Sequence, residues 1–163
     1  MMNRFVFWVR GALSLYLACA LCSNLLASDG WTEDYQAALQ KAKTENKVLL
    51  LDFTGSDWCG WCIKLDKEVF SKPEFKKYAD QNLVPVTVDF PKKKTQSPAT
   101  KKQNDALAAK HGISGYPTII VLDKNEKVIG KLGYMPGGPA AFIAELERIK
   151  PRKAAESKTI NVR

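Results

Sequence analysis

Histidine and cysteine are scarce in this sequence: its 163 residues include one histidine, His111, and four cysteines. A zinc site needs about four ligands, so this chain would need carboxylates or a second copy to complete one. No internal repeat is visible. With 45% hydrophobic and 26% charged residues, the composition predicts one globular domain with a sizeable core.

Acidic residues are absent from positions 1–28, where Arg4 and Arg10 precede an apolar run that ends in small residues. This pattern predicts a secretory signal peptide over 1–28, cleaved near Ala27 or, alternatively, after Ala20. The apolar run is somewhat shorter than the roughly 20 residues that cross a bilayer. Membrane anchoring by an uncleaved leader is therefore the less favoured hypothesis.

Removal of this leader would leave two cysteines in the chain. Cys19 and Cys22 lie inside it, and Cys59 and Cys62 remain. Lipidation of Cys19 is disfavoured because Tyr16 stands where a lipoprotein signal needs an aliphatic residue. We expect an exported protein, with the periplasm as the favoured compartment, and export places the remaining pair where disulfides persist.

The chain is basic, with a net charge of +8 that falls to +6 when the two leader arginines are removed. Much of this charge lies in a lysine-rich stretch, 91–102, and in the tail 151–163. These segments predict a solvated surface loop within a domain over 29–150, followed by a disordered tail. No aromatic residues interleave the lysines, so a nucleic-acid groove is not expected. Attraction to anionic partners or membrane headgroups stays open.

From position 32 onward the sequence predicts alternating helices and strands. The predicted helices are 32–46, 59–70, 72–81, 103–112 and 139–150, and the predicted strands are 48–54, 83–90, 118–123 and 127–133. The last two strands form a hairpin across 124–126, whereas the earlier connections predict parallel pairs. This order predicts an α/β fold with a central mixed sheet flanked by helices.

The stretch "TGSDWCGWCIKLDKEVF" places Cys59 and Cys62 where a predicted strand ends and a helix begins. Three hypotheses compete: a metal site, a structural disulfide and a redox pair. A Cys-x-x-Cys bridge closes so small a ring that it restricts little of the unfolded chain. Soft Cu(I) held by two thiolates is the non-enzymatic alternative.

A helix start favours the redox hypothesis, because a thiolate is the attacking species in disulfide exchange. First-turn amides and the helix dipole stabilise negative charge on Cys59. Cys62, one turn later, faces inward within reach of the first sulfur. We therefore predict a redox-active disulfide in which Cys59 is the nucleophile and Cys62 the resolving thiol.

The motif "WCGWC" at a strand-to-helix junction, together with "GYPT" before the hairpin, resembles the thioredoxin fold from Trp31 to Lys150. The likeness is strongest to small exported Dsb-type thiol-disulfide oxidoreductases, the DsbH type in particular. This resemblance implies the same roles for Cys59 and Cys62 and protein disulfides as substrates. It also implies a monomer with no bound cofactor, and a membrane thiol carrier as electron donor.

Around the cysteine pair, the resemblance implies substrate contacts by Trp58, Gly60 and Trp61, with Trp58 covering the site. A plain, partly buried anchor is the alternative for Trp58. In this fold a histidine next to the second cysteine would stabilise the thiolate of Cys59 and make the pair oxidising, whereas Trp61 has no charge to offer. We therefore expect a protein-disulfide reductase, with oxidase or isomerase action as the alternative.

Asp52 interrupts the apolar strand 48–54, where an unpaired carboxylate is costly and tends to hold its proton. This suits a proton carrier for Cys62, and the resemblance places an acid on the same strand beneath the resolving cysteine. Asp57 is the rival candidate for that role, and its alternative interpretation is an exposed turn or capping residue.

Pro117 stands at a strand entrance two residues after Gly115, which suits a cis peptide bond in a tight connection. The resemblance places this proline opposite the cysteine pair, where the N–H and C=O of Tyr116 would pair with a substrate strand. An ordinary trans proline that starts a strand is the alternative. His111, at the end of a predicted helix, is interpreted as structural.

Overall fold

Helices and strands follow one another in the order that the sequence predicts over residues 30–150, the part of the chain that the computed structural model describes. The predicted signal peptide and the basic tail lie outside these residues. Among residues 30–150, no helix combines the length and apolar character that crossing a bilayer requires.

Residues 30–150 form five helices and four strands, and a π-helical turn, Asp66–Phe70, continues α2 without a break. The helices are α1 Tyr35–Glu45, α2 Gly60–Leu65, α3 Pro73–Asn82, α4 Pro98–Lys110 and α5 Gly138–Ile149. The strands are β1 Val48–Thr54, β2 Leu83–Asp89, β3 Thr118–Leu122 and β4 Val128–Leu132.

The start of α4 differs from the prediction, which began this helix at 103. The Ser97 hydroxyl accepts a hydrogen bond from the Thr100 amide at 3.0 Å, and Pro98 occupies the first helical position. Both features favour a helix start because they satisfy or remove amide groups that the first turn leaves unpaired. The prediction was wrong because the polar residues that follow Pro98 hide the helical pattern.

The sheet is mixed, with strand order β2-β1-β3-β4, which confirms the predicted fold class. β1 and β2 are parallel, and β3 and β4 form the predicted antiparallel hairpin. The expectation of parallel pairing is wrong for β3, which runs antiparallel to β1. The chain leaves β2 at Asp89, beside Thr54, and re-enters the sheet at Thr118, beside Phe53. Because it re-enters at the same edge of the sheet at which β1 and β2 end, β3 runs in the opposite direction.

Both faces of the sheet are covered, because side chains of the central strand β1 alternate between two cores. Leu49, Leu51 and Phe53 pack with α1 and with Leu107 of α4. Leu50 packs on the other face with residues of α3, α5 and the π-helical turn. The alternation places Asp52 on this second face, which is the face that carries α2.

An aromatic cluster closes the second face near the cysteine pair. The Phe70 ring lies 4.9 Å from that of Phe75 and 5.5 Å from that of Phe142, between ring centroids. Trp31 packs on Phe70 at 5.0 Å. Its neighbour Thr32 bonds through its main chain to the outer edge of β2, where the Thr87 amide donates to its carbonyl at 2.8 Å.

Candidate active site

Cys59 and Cys62 lie where β1 gives way to α2 and are joined by a disulfide, with 5.2 Å between their Cα atoms. This confirms that the two predicted cysteines pair. Cys59 is the N-cap residue of α2, and its sulfur accepts a hydrogen bond from the Cys62 amide at 3.2 Å. A sulfur in this position is placed to hold negative charge once the disulfide opens.

A cavity of about 310 Å³ opens beside Cys62 and reaches the carboxyl group of Asp52. Its other polar lining residues include Thr54, Ser56 and Asp66. The structure therefore brings together Cys62 and the acid that the sequence singled out. A polar cavity of this volume can hold water, and water can carry a proton to or from Cys62.

The carboxyl group of Asp52 is buried, and its Oδ1 has no hydrogen-bond partner. Burial raises its pKa to about 8, with further contributions from the negative charges of Asp66 and Asp89. The neutral acid is therefore the favoured form at neutral pH and below. Such a group is poised to exchange a proton with a thiol, whose usual pKa is near 8.5.

Asp66 is a member of this site that the sequence analysis missed. It follows Cys62 by four residues, so the two side chains lie on the same face of consecutive helical turns. Its carboxylate accepts a hydrogen bond from the Ser71 hydroxyl at 3.0 Å. That four-residue spacing, together with the inward direction of Cys62, was the available signal.

Asp57, the rival candidate for proton transfer, is fully occupied elsewhere. Its carboxylate accepts the main-chain amides of Lys92, Lys93 and Lys94 at 2.9, 2.7 and 3.0 Å. These hydrogen bonds lower its pKa. An acid that holds its charge this firmly is a poor proton carrier, and its observed contacts are those of a loop anchor.

Trp58 is fixed from several sides above the strand end. Its indole N–H donates to the carbonyl of Phe90 at 2.7 Å, and its ring meets the Tyr116 ring edge-on at 5.8 Å between centroids. A Cβ at Gly55 would lie 2.5 Å from the indole ring, so only glycine leaves room for it. The sequence does not reveal this requirement, because it arises where two parts of a loop fold together.

Trp61 is 57% exposed and lies on the ring of Tyr134, 5.0 Å between centroids. The ammonium of Lys64 lies 5.1 Å from the Trp61 ring and 5.0 Å from the Tyr134 ring. Tyr134 in turn donates its hydroxyl to Glu68 at 2.8 Å. Tyr134 comes from the segment before α5, and no sequence signal connects it to the motif.

The Tyr116–Pro117 peptide bond is cis, as predicted. The Tyr116 ring contacts both Trp58 and Phe90, at 5.8 and 5.3 Å between centroids. The connection before β3 therefore lies against the residue that precedes Cys59. Gly60 is open to its surroundings, because a Cβ placed there would meet no atom within 4 Å.

His111 ends α4 and does not join the cysteine pair in any recorded contact. Its ring meets the Phe53 ring edge-on at 6.1 Å between centroids, and burial lowers its pKa. Within residues 30–150, no three His, Cys, Asp or Glu side chains cluster closely enough to hold a metal ion.

Comparison with known proteins points to one family. The model of the thioredoxin-like domain matches residues 35–150. The disulfide bond reductase DsbH of Chlamydia pneumoniae is 37% identical over 115 residues, which cover 71% of this chain and 69% of that protein. The thioredoxin-related protein DsbJ of the same organism is 42% identical over 103 residues, 63% of this chain, but these span only 30% of DsbJ.

Solved structures give the same fold. A DsbH oxidoreductase superposes with a TM-score of 0.70 and 36% sequence identity, over 73% of this chain and 82% of that one. A thioredoxin from Thermus thermophilus gives a TM-score of 0.56 at 21% identity, over 73% and 85% of the two chains. The second likeness concerns the fold alone.

The burial of Asp52 predicts a pH-dependent gain in stability for Asp52→Asn. The acid ionises in the unfolded chain near pH 3.8, whereas the folded chain holds the proton up to about pH 8. The wild type therefore loses stability as pH rises through this window, by up to about 1.4 kcal/mol per pH unit, and the asparagine variant does not. Urea unfolding at a series of pH values measures the difference.

The matched control is Asp80→Asn, at an exposed aspartate. We expect the free-energy difference between Asp52→Asn and wild type to grow from acid to neutral pH, and the control to follow wild type. A difference that stays constant across the window would contradict the assignment of a buried, proton-holding Asp52.

Proposed function

Because this chain belongs to the thioredoxin-like family and is a DsbH-like thiol-disulfide oxidoreductase, we propose that it reduces protein disulfides with Cys59 as nucleophile and Cys62 as resolving thiol. The observation that carries the proposal is the position of the disulfide: its first sulfur caps α2, and its second lies at the cavity that holds Asp52. The two sulfurs therefore have different surroundings, as the two roles require.

The reaction begins with the reduced pair. The Cys59 thiolate attacks one sulfur of the substrate disulfide, and the other substrate sulfur leaves as a thiolate that takes a proton. Cys62 then loses its proton and attacks the Cys59 sulfur, which releases the second substrate thiol and closes the Cys59–Cys62 bond. Two electrons pass from the pair to the substrate, while Cys62 gives up one proton and solvent supplies the second that the two substrate thiols need.

Asp52 is the proposed acceptor of the Cys62 proton, and its ionised form, the minor one at neutral pH, performs this step. A carboxyl group with a pKa of about 8 differs little in basicity from a thiolate, so the transfer is close to balanced in free energy. The cavity that both groups border is also lined by Thr54, whose hydroxyl is suited to relay a proton. Asp52 thus acts in the second step of the reaction and not in the first.

The substrate is proposed to lie across the exposed face formed by Trp58, Gly60, Trp61, Tyr116 and Pro117. Trp58 and Trp61 present 38% and 57% of their surface, and the open position at Gly60 allows close approach to the disulfide. Main-chain groups of Tyr116 would pair with an extended substrate segment. Aromatic rings on either side supply apolar contact without requiring a particular side chain.

The residues between the two cysteines support the reducing direction. Trp61 itself is neutral, and the nearby Lys64 ammonium lies 4.0 Å from the Glu68 carboxylate, which offsets its charge. The thiolate therefore gains little stabilisation from the intervening residues, and a less stabilised thiolate makes a less oxidising pair. Reduction of substrates is the proposed direction, in preference to oxidation or isomerisation.

A reductase in an oxidising compartment needs a supply of electrons. We propose that the protein is exported to the periplasm as a monomer, and that a membrane thiol carrier reduces its Cys59–Cys62 disulfide. No bound cofactor takes part in this scheme, because both electrons travel through successive disulfide exchanges.

The cysteine roles predict different behaviour for two serine variants. We expect Cys59→Ser to abolish reduction of insulin disulfides in the presence of dithiothreitol. Cys62→Ser should instead accumulate mixed disulfides with partner proteins, since the resolving thiol is missing. Non-reducing electrophoresis and mass mapping detect these adducts. Alkylation of the reduced wild type at mildly acidic pH should label Cys59 first, and preferential labelling of Cys62 would reverse the assignment.

The role of Asp52 predicts a selective kinetic defect. In Asp52→Asn, release from the mixed disulfide should slow by about tenfold to a hundredfold or more, while the initial attack changes little, because general bases contribute factors of this order to the step they serve. Stopped-flow traces resolve the two phases, and Asp80→Asn serves as the control. An unchanged resolution phase in Asp52→Asn would assign the proton to water or to another group.

The proposed direction predicts the reduction potential. Equilibration with a glutathione series should give a value nearer the roughly −270 mV of thioredoxin than the roughly −120 mV of the strong oxidant DsbA. Trp61→His should raise the potential, and Trp61→Phe, which keeps a ring for Tyr134 and Lys64, should leave it nearly unchanged. A wild-type potential at the oxidising end, with rapid oxidation of a reduced unfolded substrate, would overturn the reductase proposal.

A further inference from the structure

A basic loop, defined here as Lys92, Lys93 and Lys94, lies directly beside the residue that precedes the cysteine pair. The ammonium of Lys92 stands 4.0 Å from the centre of the Trp58 ring. Lys94 donates its ammonium to the Ser56 hydroxyl at 3.1 Å. The loop is therefore part of the rim of the disulfide site and not a separate feature of the surface.

The main chain of the basic loop is held in place by Asp57, whose carboxylate accepts the amides of all three lysines. The far end of the loop is also anchored, since the Gln96 side chain donates to the Asp89 carbonyl at 3.0 Å. Because these bonds fix the backbone, the lysine side chains start from defined positions. A fixed loop loses less conformational entropy on binding than a free one.

The basic loop forms no ion pair with an acid of residues 30–150. Segment 91–102 contains five lysines and no acid. Lys101 forms an ion pair with Asp105 at 2.8 Å, but no carboxylate of residues 30–150 forms a salt bridge with a basic-loop lysine. Asp57 accepts the loop amides, and its carboxylate also attracts the Lys94 ammonium. Against the single carboxylate of Asp57, the three exposed lysines leave a net positive charge beside the redox pair.

We propose that the basic loop is a docking surface for acidic residues that flank the substrate disulfide, so that this protein prefers disulfides in acidic segments of its substrates. The inference rests on the proposed function, because it names the substrate class of the same site. Fixed positive charges at a reaction site attract acidic partners over a range of about 10 Å and raise the rate of productive encounter.

A protein segment suits this surface better than a lipid headgroup layer. The lysines join a continuous row of side chains, from Lys92 through Trp58 to Tyr116, that ends at the connection proposed to pair with substrate. A peptide lying along this row would bring its disulfide to Cys59 and its acidic flank to the basic loop. A flat membrane surface needs no such continuity with the redox pair.

The test uses two cyclic peptides with the same disulfide loop, one flanked by Asp and Glu and the other by Asn and Gln. Second-order rate constants are measured for reduced protein with oxidised peptide and for oxidised protein with reduced peptide. For the wild type we expect the acidic peptide to react about tenfold faster at low salt, with the ratio approaching one at high ionic strength.

The variant carries Lys92→Gln, Lys93→Gln and Lys94→Gln, which remove the charges and keep the main-chain amides that Asp57 binds. Its acidic-to-neutral ratio should fall close to one. The matched control carries Lys43→Gln, Lys124→Gln and Lys127→Gln, which remove the same charge near the opposite end of the sheet, where α1 ends and the β3–β4 hairpin turns. The control should keep the wild-type ratio.

Three outcomes would overturn the proposal: a wild-type ratio of one, a ratio that survives in the basic-loop variant, or an equal loss in the control. Loss of binding to phosphatidylglycerol vesicles in the variant, with a wild-type peptide ratio of one, would assign the loop to a membrane surface instead. Rate constants are measured for both directions of exchange so that the docking proposal can be judged separately from the reductase proposal. An oxidase with the same basic loop would also prefer acidic partners.

Absence of any exchange would count against the proposed function alone. Docking is then tested with an acidic peptide whose cysteines are replaced by serine. Its binding to the protein is measured by the change in tryptophan fluorescence. Tighter binding to wild type than to the basic-loop variant supports the docking surface, and equal binding overturns it.

Discussion

Burial of the Asp52 carboxyl group is the constraint on which the rest of the site depends. The group lies on the central strand, between Leu51 and Phe53, which face the opposite core. A carboxylate there would lose most of its hydration, so the folded protein favours the neutral acid. The cavity beside Cys62 borders this group, and its polar lining supports the proposed exchange of a proton between Asp52 and Cys62.

The two cysteines share a disulfide but face regions of opposite charge. Beside Cys62 lies Asp52, where burial, with smaller contributions from the charges of Asp66 and Asp89, favours the protonated acid. Beside Cys59 lie the helix start and, past Trp58, the basic loop. The two sulfurs therefore have different electrostatic surroundings, and this difference supports the proposed division of roles between Cys59 and Cys62.

Aromatic packing fixes the positions of the side chains around the disulfide. Gly55 leaves the space that the Trp58 indole fills, and Tyr116 and Phe90 extend the same contact towards the strand ends. On the other side of the motif, Tyr134 fixes Trp61. The exposed face beside the disulfide is thus built from rings whose positions are set by neighbours, so little ordering is needed when a partner binds.

The sequence by itself determined the order of elements, the cysteine pair at a strand-to-helix junction and the unusual acid on an apolar strand, because these depend on short-range periodicity and local chemistry. Only the tertiary structure decided that β3 runs antiparallel to β1, that Asp66 shares a cavity with Asp52, and that Asp57 binds a loop 35 residues away along the chain. Contacts of that kind depend on where segments distant in the sequence meet, and local sequence patterns do not predict those meetings.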